Sequence, residues 1–338
     1  MILIFQKDAT ESQIQQALEK ITALGYVPHL SRGVLKTIVG VTGDDRSVAE
    51  LEFDQLPGVE EVVHVLKPFK LASRDFHPED TRVEIGGLRI GSDTFSLIAG
   101  PCSVEDEDQI EAIASYLAQN GLKLIRGGAF KPRSSPYSFQ GLGEEGLKIL
   151  KSAGRRHGLA VVTEVMAAHD VEMVGRYTDM FQVGTRNMQN FALLRALGEI
   201  RKPVLLKRSM MGTIEELLLS AEYIMKAGNT DIVLCERGIR TFETATRNTL
   251  DIAAIPVCKR WSHLPVIVDP SHSMGDWHYV PSASLAALAA GADGIIIEIH
   301  PRPEAAKSDG KQSLTLENFQ RLFVKLQQLG EVLGVRVQ

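Results

Sequence analysis

Three cysteines, Cys102, Cys235 and Cys258, are too few and too scattered in 338 residues for a disulfide framework, and they suit a reducing compartment. No stretch reaches the roughly 18 consecutive apolar residues of a membrane span, so no membrane partner is expected. The chain opens on Met1-Ile2-Leu3-Ile4-Phe5 and turns polar at Gln6-Lys7-Asp8, which reads as a short strand and not a signal peptide; the cytoplasm is the expected location. There is no basic block. The 37 Lys and Arg against 42 Asp and Glu leave a net charge of -5, which argues against general nucleic-acid binding and leaves small anionic ligands open. What is present is 44% hydrophobic and 23% charged, enough to bury one large domain or two unequal ones.

The pattern divides near residue 75. Residues 1–70 alternate strand and helix signals. Ile2–Phe5 is a strand, and Thr10 with Gln13 forms a capping box ahead of Ile14, Ala17, Leu18 and Ile21 at helical spacing. Val27–Leu30 and Val34–Val41 are further strands, Arg46–Phe53 a short helix, and Val59–Leu66 a last strand. That order, βαββαβ, is the ferredoxin-like split pattern. Residues 71–82 are polar and read as a linker, and Gly86-Gly87 between two short apolar runs signals a hairpin, so residues 71–96 are expected to connect two domains.

From residue 97 to 338 the rhythm is regular. Eight short apolar runs, Leu97–Cys102, Lys123–Gly127, Ala160–Glu164, Met180–Gly184, Val204–Arg208, Ile232–Glu236, Val266–Asp269 and Gly294–Ile299, read as parallel strands buried on both faces. Most precede a helical pattern, the clearest opened by the Thr213/Glu216 capping box. Eight β–α units predict an α/β fold, a (β/α)8 TIM barrel. The doubly wound alternative lacks its G-x-G-x-x-G turn.

A TIM barrel keeps its chemistry at the C-terminal ends of its strands. Cys102, Arg126, Lys131, Glu164, Arg186, Lys207, Arg208, Glu236, Arg237, Asp269, His272, Glu298 and His300 fall there. So many cations around one mouth would repel each other without a polyanion, which points to a small substrate with more than one phosphate or carboxylate. Cys102, His272, Glu298 and the later Asp309 make a second, mixed set on or after strands one, seven and eight, neighbours in a closed barrel. A thiolate, an imidazole and two carboxylates suit Mn, Fe, Co or Zn better than Mg or Ca. His300 and Asp269 are alternative ligands. The Arg126–Pro136 loop, with three cations, two serines and two prolines, suits a phosphate held with little ordering entropy.

These segments carry a resemblance. IAGPCSVE at 98–105, RGGAFKPRSSPYSFQGLG at 126–143, GTRNMQN at 184–190, LLKR at 205–208, LCERGIRTF at 234–242, VDPSHS at 268–273 and Asp309-Gly310-Lys311-Gln312 resemble the type I 3-deoxy-D-arabino-heptulosonate 7-phosphate (DAHP) synthases. The first 70 residues resemble the subgroup with a ferredoxin-like regulatory domain. The resemblance implies a metal-dependent condensation of phosphoenolpyruvate with erythrose 4-phosphate and water, releasing phosphate, at the entry to aromatic amino-acid synthesis. It implies Cys102, His272, Glu298 and Asp309 as metal ligands, and Lys131, Cys102 and His272 as catalytic. Arg186, Lys207 and Arg237, with the Thr185 backbone, would hold the phosphoenolpyruvate phosphate, and Arg126, Lys131 and Lys207 its carboxylate. Lys131, Pro132, Arg133 and Ser134 would hold erythrose 4-phosphate, although the family commonly has Thr where Ser134 stands. Glu164, Lys131 or a metal-bound water would move the proton of the attacking water.

The resemblance further implies a homo-oligomer, with a tetramer favoured, and feedback inhibition by Tyr or Phe. His29 and Ser31, between two strands, are the expected effector contacts. The alternatives are a KDO 8-phosphate synthase using arabinose 5-phosphate, against which the Lys131-Pro132 pair argues, and a catalytically dead effector-binding paralogue, against which the complete ligand and clamp sets argue. A separate chorismate mutase as a protein partner is compatible with catalysis.

Overall fold

The computed structural model describes residues 1–33, 36–42, 53–63, 68–91, 93–131, 135 and 137–338. It divides into two compact units, Met1–Asp80 with Arg260–His263, and Thr81–Lys259 with Leu264–Gln338. No helix among the described residues is long and apolar enough to cross a membrane.

In the first unit, β1 (Ile2–Phe5) lies at the middle of a four-stranded sheet with β2 (Val27–Arg32), β3 (Thr37–Thr42) and β4 (Val59–Val63) in the order β2-β3-β1-β4. β1 is antiparallel to both neighbours, with Leu3 opposite Val39 on one side and Val62 on the other. Inserting β3 between β1 and β2 is the split βαβ arrangement of ferredoxin-like domains. Helix α1 (Glu11–Ala23) starts where expected: Thr10 accepts from the Gln13 backbone N–H, and the Gln13 side chain accepts from Thr10 N–H. Its Ile14, Ala17 and Ile21 stripe packs with Leu3, Phe5, Val39 and Phe53 into one core. The expected helix Arg46–Phe53 lies outside the described residues except for Phe53, as do the first part of the Val34–Val41 strand and the end of Val59–Leu66.

Two expectations change here. The strand expected over Val27–Leu30 runs on to Arg32, so His29 and Ser31 lie within edge strand β2 and not between two strands. The part of the expected linker up to residue 80 belongs to the first unit: Leu71, Ala72, Ser73 and Phe76 are buried, Ser73 bridges to Ser262, and His263 Nε2 hydrogen-bonds Leu71 O at 2.8 Å. Its polar composition concealed those four anchors.

The second unit begins with the hairpin β5 (Val83–Ile85) and β6 (Leu88–Ile90). Eight parallel strands follow: β7 (Thr94–Gly100), β8 (Leu124–Arg126), β9 (Ala160–Val165), β10 (Met180–Val183), β11 (Val204–Lys207), β12 (Ile232–Glu236), β13 (Val266–Val268) and β14 (Gly294–Glu298). They pair in chain order, and β14 closes on β7 from Gly294 opposite Ser96 to Glu298 opposite Gly100. This is the expected (β/α)8 barrel. A short C-terminal strand, β15 (Arg336–Val337), adds to β7.

The barrel floor explains its mouth. Val83, Ile85, Leu88 and Ile90 of the hairpin share one buried cluster with Ile98, Leu124, Val162, Met180, Leu205, Val233, Cys235, Ile267 and Ile296. These strand residues point inward, and side chains on a strand alternate with period two. Two or four residues further on, the same inward parity reaches Cys102, Arg126, Glu164, Gln182, Lys207, Arg237, Asp269 and Glu298. An apolar floor thus passes to a charged mouth along single strands.

Candidate active site

Four potential ligands meet at the mouth. Cys102 Sγ, a nitrogen of His272 and one carboxylate oxygen from each of Glu298 and Asp309 lie within 4.8 Å of one another. His272 sits in a five-residue helix, Pro270–Met274, that Asp269 caps by accepting from His272 N–H at 2.9 Å. Asp269 also engages His272 Nδ1 at 2.7 Å, which leaves Nε2 facing Glu298 Oε1 at 3.4 Å and Asp309 Oδ2 at 3.9 Å. Asp309 is the one non-glycine residue with positive φ among the described residues, at φ 49°. It is followed by Gly310, where a Cβ would stand 2.1 Å from Pro303 O. Aspartate is one of the few non-glycine residues that visit this left-handed region.

Opposite charges crowd the cluster. Burial pushes the Cys102 thiol up to about 12, and the neighbouring Glu298 and Asp309 push in the same direction against Lys131 and Arg126. Cys102 Sγ–H donates to Asp309 Oδ2 at 3.3 Å, and Lys131 Nζ lies 3.1 Å from the same sulfur. Burial raises Glu298 and Asp309 too, yet both are held below the usual carboxylate range, Glu298 by His272 and Arg126, Asp309 by Arg247 and His272. A sulfur, an imidazole nitrogen and two carboxylate oxygens at this spacing fit a borderline divalent ion such as Mn, Fe, Co or Zn. Of the two alternative ligands, Asp269 supports His272 from behind. His300 is buried beside Glu105, with Nε2 3.7 Å from Glu105 Oε2, outside the cluster.

Beside the cluster opens a cleft of about 350 Å³. Lys131, Arg186, Lys207, Arg237 and Arg247 line it with Glu164, Gln182, Thr185, His272 and Asp309. Of the expected substrate residues, Lys131, Thr185, Arg186, Lys207 and Arg237 therefore come together. Arg126 does not line the cleft: its Nη1 donates to Pro101 O at 2.7 Å and Glu298 Oε1 at 2.9 Å, while its buried Nε has no hydrogen-bond partner among the described residues. Pro132, Arg133 and Ser134 lie outside the described residues. Arg237 donates to the carbonyls of Gly238 and His272, and has no carboxylate at ion-pair distance among the described residues; burial pulls its guanidinium below the usual arginine range. Such a cation is suited to an incoming anion.

Two expected mouth residues face elsewhere. Arg208 and Glu236 have the outward parity; Arg208 Nη1 contacts Glu236 Oε2 at 2.9 Å and Asp251 Oδ2 at 2.8 Å, outside the cleft. Sequence reading missed Arg247 and Gln182. Gln182 Nε2 donates to Glu164 Oε2 at 3.3 Å, and Gly184 leaves room for that carboxylate, since a Cβ there would stand 1.9 Å from Glu164 Oε1. The parity of β10 could have found Gln182. Arg247 lies in a long polar connection with no periodicity to read.

Fold and mouth define a (β/α)8-barrel enzyme that gathers cations around an anion-sized cleft. The chain belongs to the DAHP synthetase I family, whose model matches residues 75–334, and residues 1–67 match the DAHP synthase ferredoxin-like domain. It is 52% identical over 337 residues, all of both chains, to the phospho-2-dehydro-3-deoxyheptonate aldolase of Thermotoga maritima. The crystal structure of that protein has a TM-score of 0.80, covering 100% of this chain and 99% of its own. The 2-dehydro-3-deoxyphosphooctonate aldolase of Syntrophobacter fumaroxidans is more distant, 33% identical over 261 residues, 72% of this chain and 90% of that protein.

Proposed function

We propose that the chain condenses phosphoenolpyruvate with erythrose 4-phosphate and water to DAHP and phosphate, as a divalent-metal-dependent enzyme of the cytoplasm. The observation that carries this reading is the joining of the Cys102, His272, Glu298 and Asp309 cluster to the Lys131, Arg186, Lys207 and Arg237 cleft in one barrel mouth. The identity to the Thermotoga protein over the full chain favours the four-carbon aldose over arabinose 5-phosphate.

Cys102, His272, Glu298 and Asp309 would hold the metal, which when bound supplies Lewis-acid polarisation of the aldehyde oxygen. Arg186, Lys207 and Arg237 hold the phosphate of phosphoenolpyruvate, beside the Thr185 backbone, and Lys131 with Lys207 holds its carboxylate, while Arg126, which does not line the cleft, holds Glu298. Pro132, Arg133 and Ser134 hold the aldose phosphate. Clamping two anions that would otherwise repel supplies proximity. C3 of phosphoenolpyruvate bonds to the aldehyde carbon, whose oxygen takes a proton. Water adds at C2 and gives up a proton, and the C2–O bond to phosphate then breaks as the new C2 hydroxyl passes its proton to the departing phosphate, leaving a ketone. Glu164 and Lys131 line the cleft, and one of them would carry those protons.

The first unit would bind Tyr or Phe and inhibit. His29 and Ser31 share one face of β2; His29 Nε2 lies 3.0 Å from Thr42 Oγ1 and its ring meets the edge of Phe76 at 5.9 Å. A homotetramer is part of this reading, by family resemblance. The test of metal dependence is direct: the chelator-stripped chain should lose turnover, and Mn should restore it. Full turnover in a verified metal-free sample would contradict the proposal.

A further inference from the structure

Outside the four ligands, one chain of side chains reaches both carboxylates and opens to the cleft. Gln312 is buried, and its Nε2 donates to Glu298 Oε2 at 2.7 Å. Its Oε1 accepts from Arg247 Nη1 at 2.8 Å. Arg247 Nη1 also lies 3.4 Å from Asp309 Oδ1, and Arg247 lines the cleft. An amide has a donor end and an acceptor end that are nearly identical in shape, so its direction is set by its partners. Arginine can only donate. Facing Arg247, Gln312 must present its oxygen there and its NH2 to Glu298. Turned the other way, it would set a lone pair against a carboxylate and a donor against a guanidinium.

We propose that Arg247 and Gln312 are positioning residues for the metal site: Arg247 fixes the direction of the Gln312 amide, and that amide holds Glu298 in the orientation that binds metal. The inference rests on reading the four-residue cluster as a metal centre. Arg247 acts on the metal by two routes of opposite sign. It competes with the metal for Asp309, which weakens binding, and it orients Gln312, which strengthens it. Removing Gln312 leaves only the first route.

The test measures the Mn dissociation constant of the full chain by competition with a chromogenic chelator, and records the Co-loaded absorption spectrum. Gln312→Leu should weaken Mn binding at least tenfold, within the 10–100-fold range of lost outer partners. It should also shift the ligand-field bands of Co, because Glu298 is no longer held. Arg247→Leu should strengthen Mn binding at least threefold more in the Gln312→Leu background than in the wild type, the non-additivity of a shared path. Gln312→Met keeps length without the amide and carries the test if Gln312→Leu fails to fold. Unchanged Mn affinity in the folded Gln312 variants, or the same Arg247→Leu effect in both backgrounds, would overturn the inference. A wild-type chain that binds no divalent metal would instead overturn the metal-site reading.

Discussion

Asp269 joins the two halves of the mouth, and Asp269→Asn separates them with almost no change of shape. The carboxylate is 1% exposed. Oδ1 accepts from His272 N–H, while Oδ2 engages both His272 Nδ1 and Lys207 Nζ. Burial alone would raise its pKa, but His272 and Lys207 hold it well below the usual carboxylate range. Asparagine offers one oxygen where aspartate offers two. If that oxygen faces Lys207 and Nδ1, the amide donor confronts the His272 backbone donor; if it faces the backbone, the NH2 confronts Lys207 and forces the imidazole into the other tautomer. Either way a charge-assisted hydrogen bond is lost and Lys207 loses its buried countercharge, together a loss of stability of about 3–5 kcal/mol. His272 is then less well oriented, and metal affinity should fall roughly 10–100-fold. With metal saturating, KM for phosphoenolpyruvate should not rise, because an uncompensated Lys207 attracts the substrate anion more strongly. Chelator competition, thermal unfolding and initial rates read the three effects. A metal dissociation constant within twofold of wild type would refute the claim that Asp269 positions His272.

Four further outcomes are expected. Because burial and its neighbours push the Cys102 thiol up to about 12, metal must displace a proton from it; Mn affinity, by chelator competition, should strengthen roughly tenfold per pH unit between about 6 and 9, a slope that Cys102→Ser should reduce as it weakens binding. Arg133→Ala should raise KM for the aldose phosphate by the roughly 1.5–3 kcal/mol of a charge-assisted contact, with little effect on phosphoenolpyruvate; equal effects in initial-rate assays would place the loop elsewhere. Inhibition by Tyr or Phe should weaken in His29→Ala and Ser31→Ala while uninhibited turnover is retained, and an intact enzyme indifferent to millimolar effector would end the regulatory proposal. His263 is pushed down to about 4, chiefly by burial. The unfolded chain, near 6.5, therefore binds this proton first. Its stabilising contribution is complete above about 6.5 and lost by about 4, roughly 3 kcal/mol in all; thermal unfolding of His263→Gln against wild type across that range measures it.

Most of the barrel was legible because its signals are local. Each strand is a short apolar run, and Thr10/Gln13 and Thr213/Glu216 start their helices by the capping boxes expected of them. The meeting of Cys102, His272, Glu298 and Asp309 was legible as residue types on or after strands one, seven and eight. Side-chain direction was harder, yet the answer lay in the period of two: counting from inward Leu205 and Val233 selects Lys207 and Arg237 and sends Arg208 and Glu236 outward to each other. Arg126 had the right parity but is drawn to Glu298, a partner 172 residues away that no local pattern announces. The same holds for Arg247 and Gln312, 65 residues apart in sequence. The stretch after residue 70 misled because its polar majority outweighed Leu71, Ala72 and Phe76, whose burial depends on tertiary context.

Phosphate release and the sugar-acid product, followed with the Mn-loaded chain, phosphoenolpyruvate and each aldose phosphate in turn, decide which aldose the mouth takes. One phosphate should be released per seven-carbon DAHP formed from erythrose 4-phosphate, at a kcat/KM well above that for arabinose 5-phosphate. A preference for arabinose 5-phosphate with an eight-carbon product, or no turnover with either, would contradict the proposed reaction.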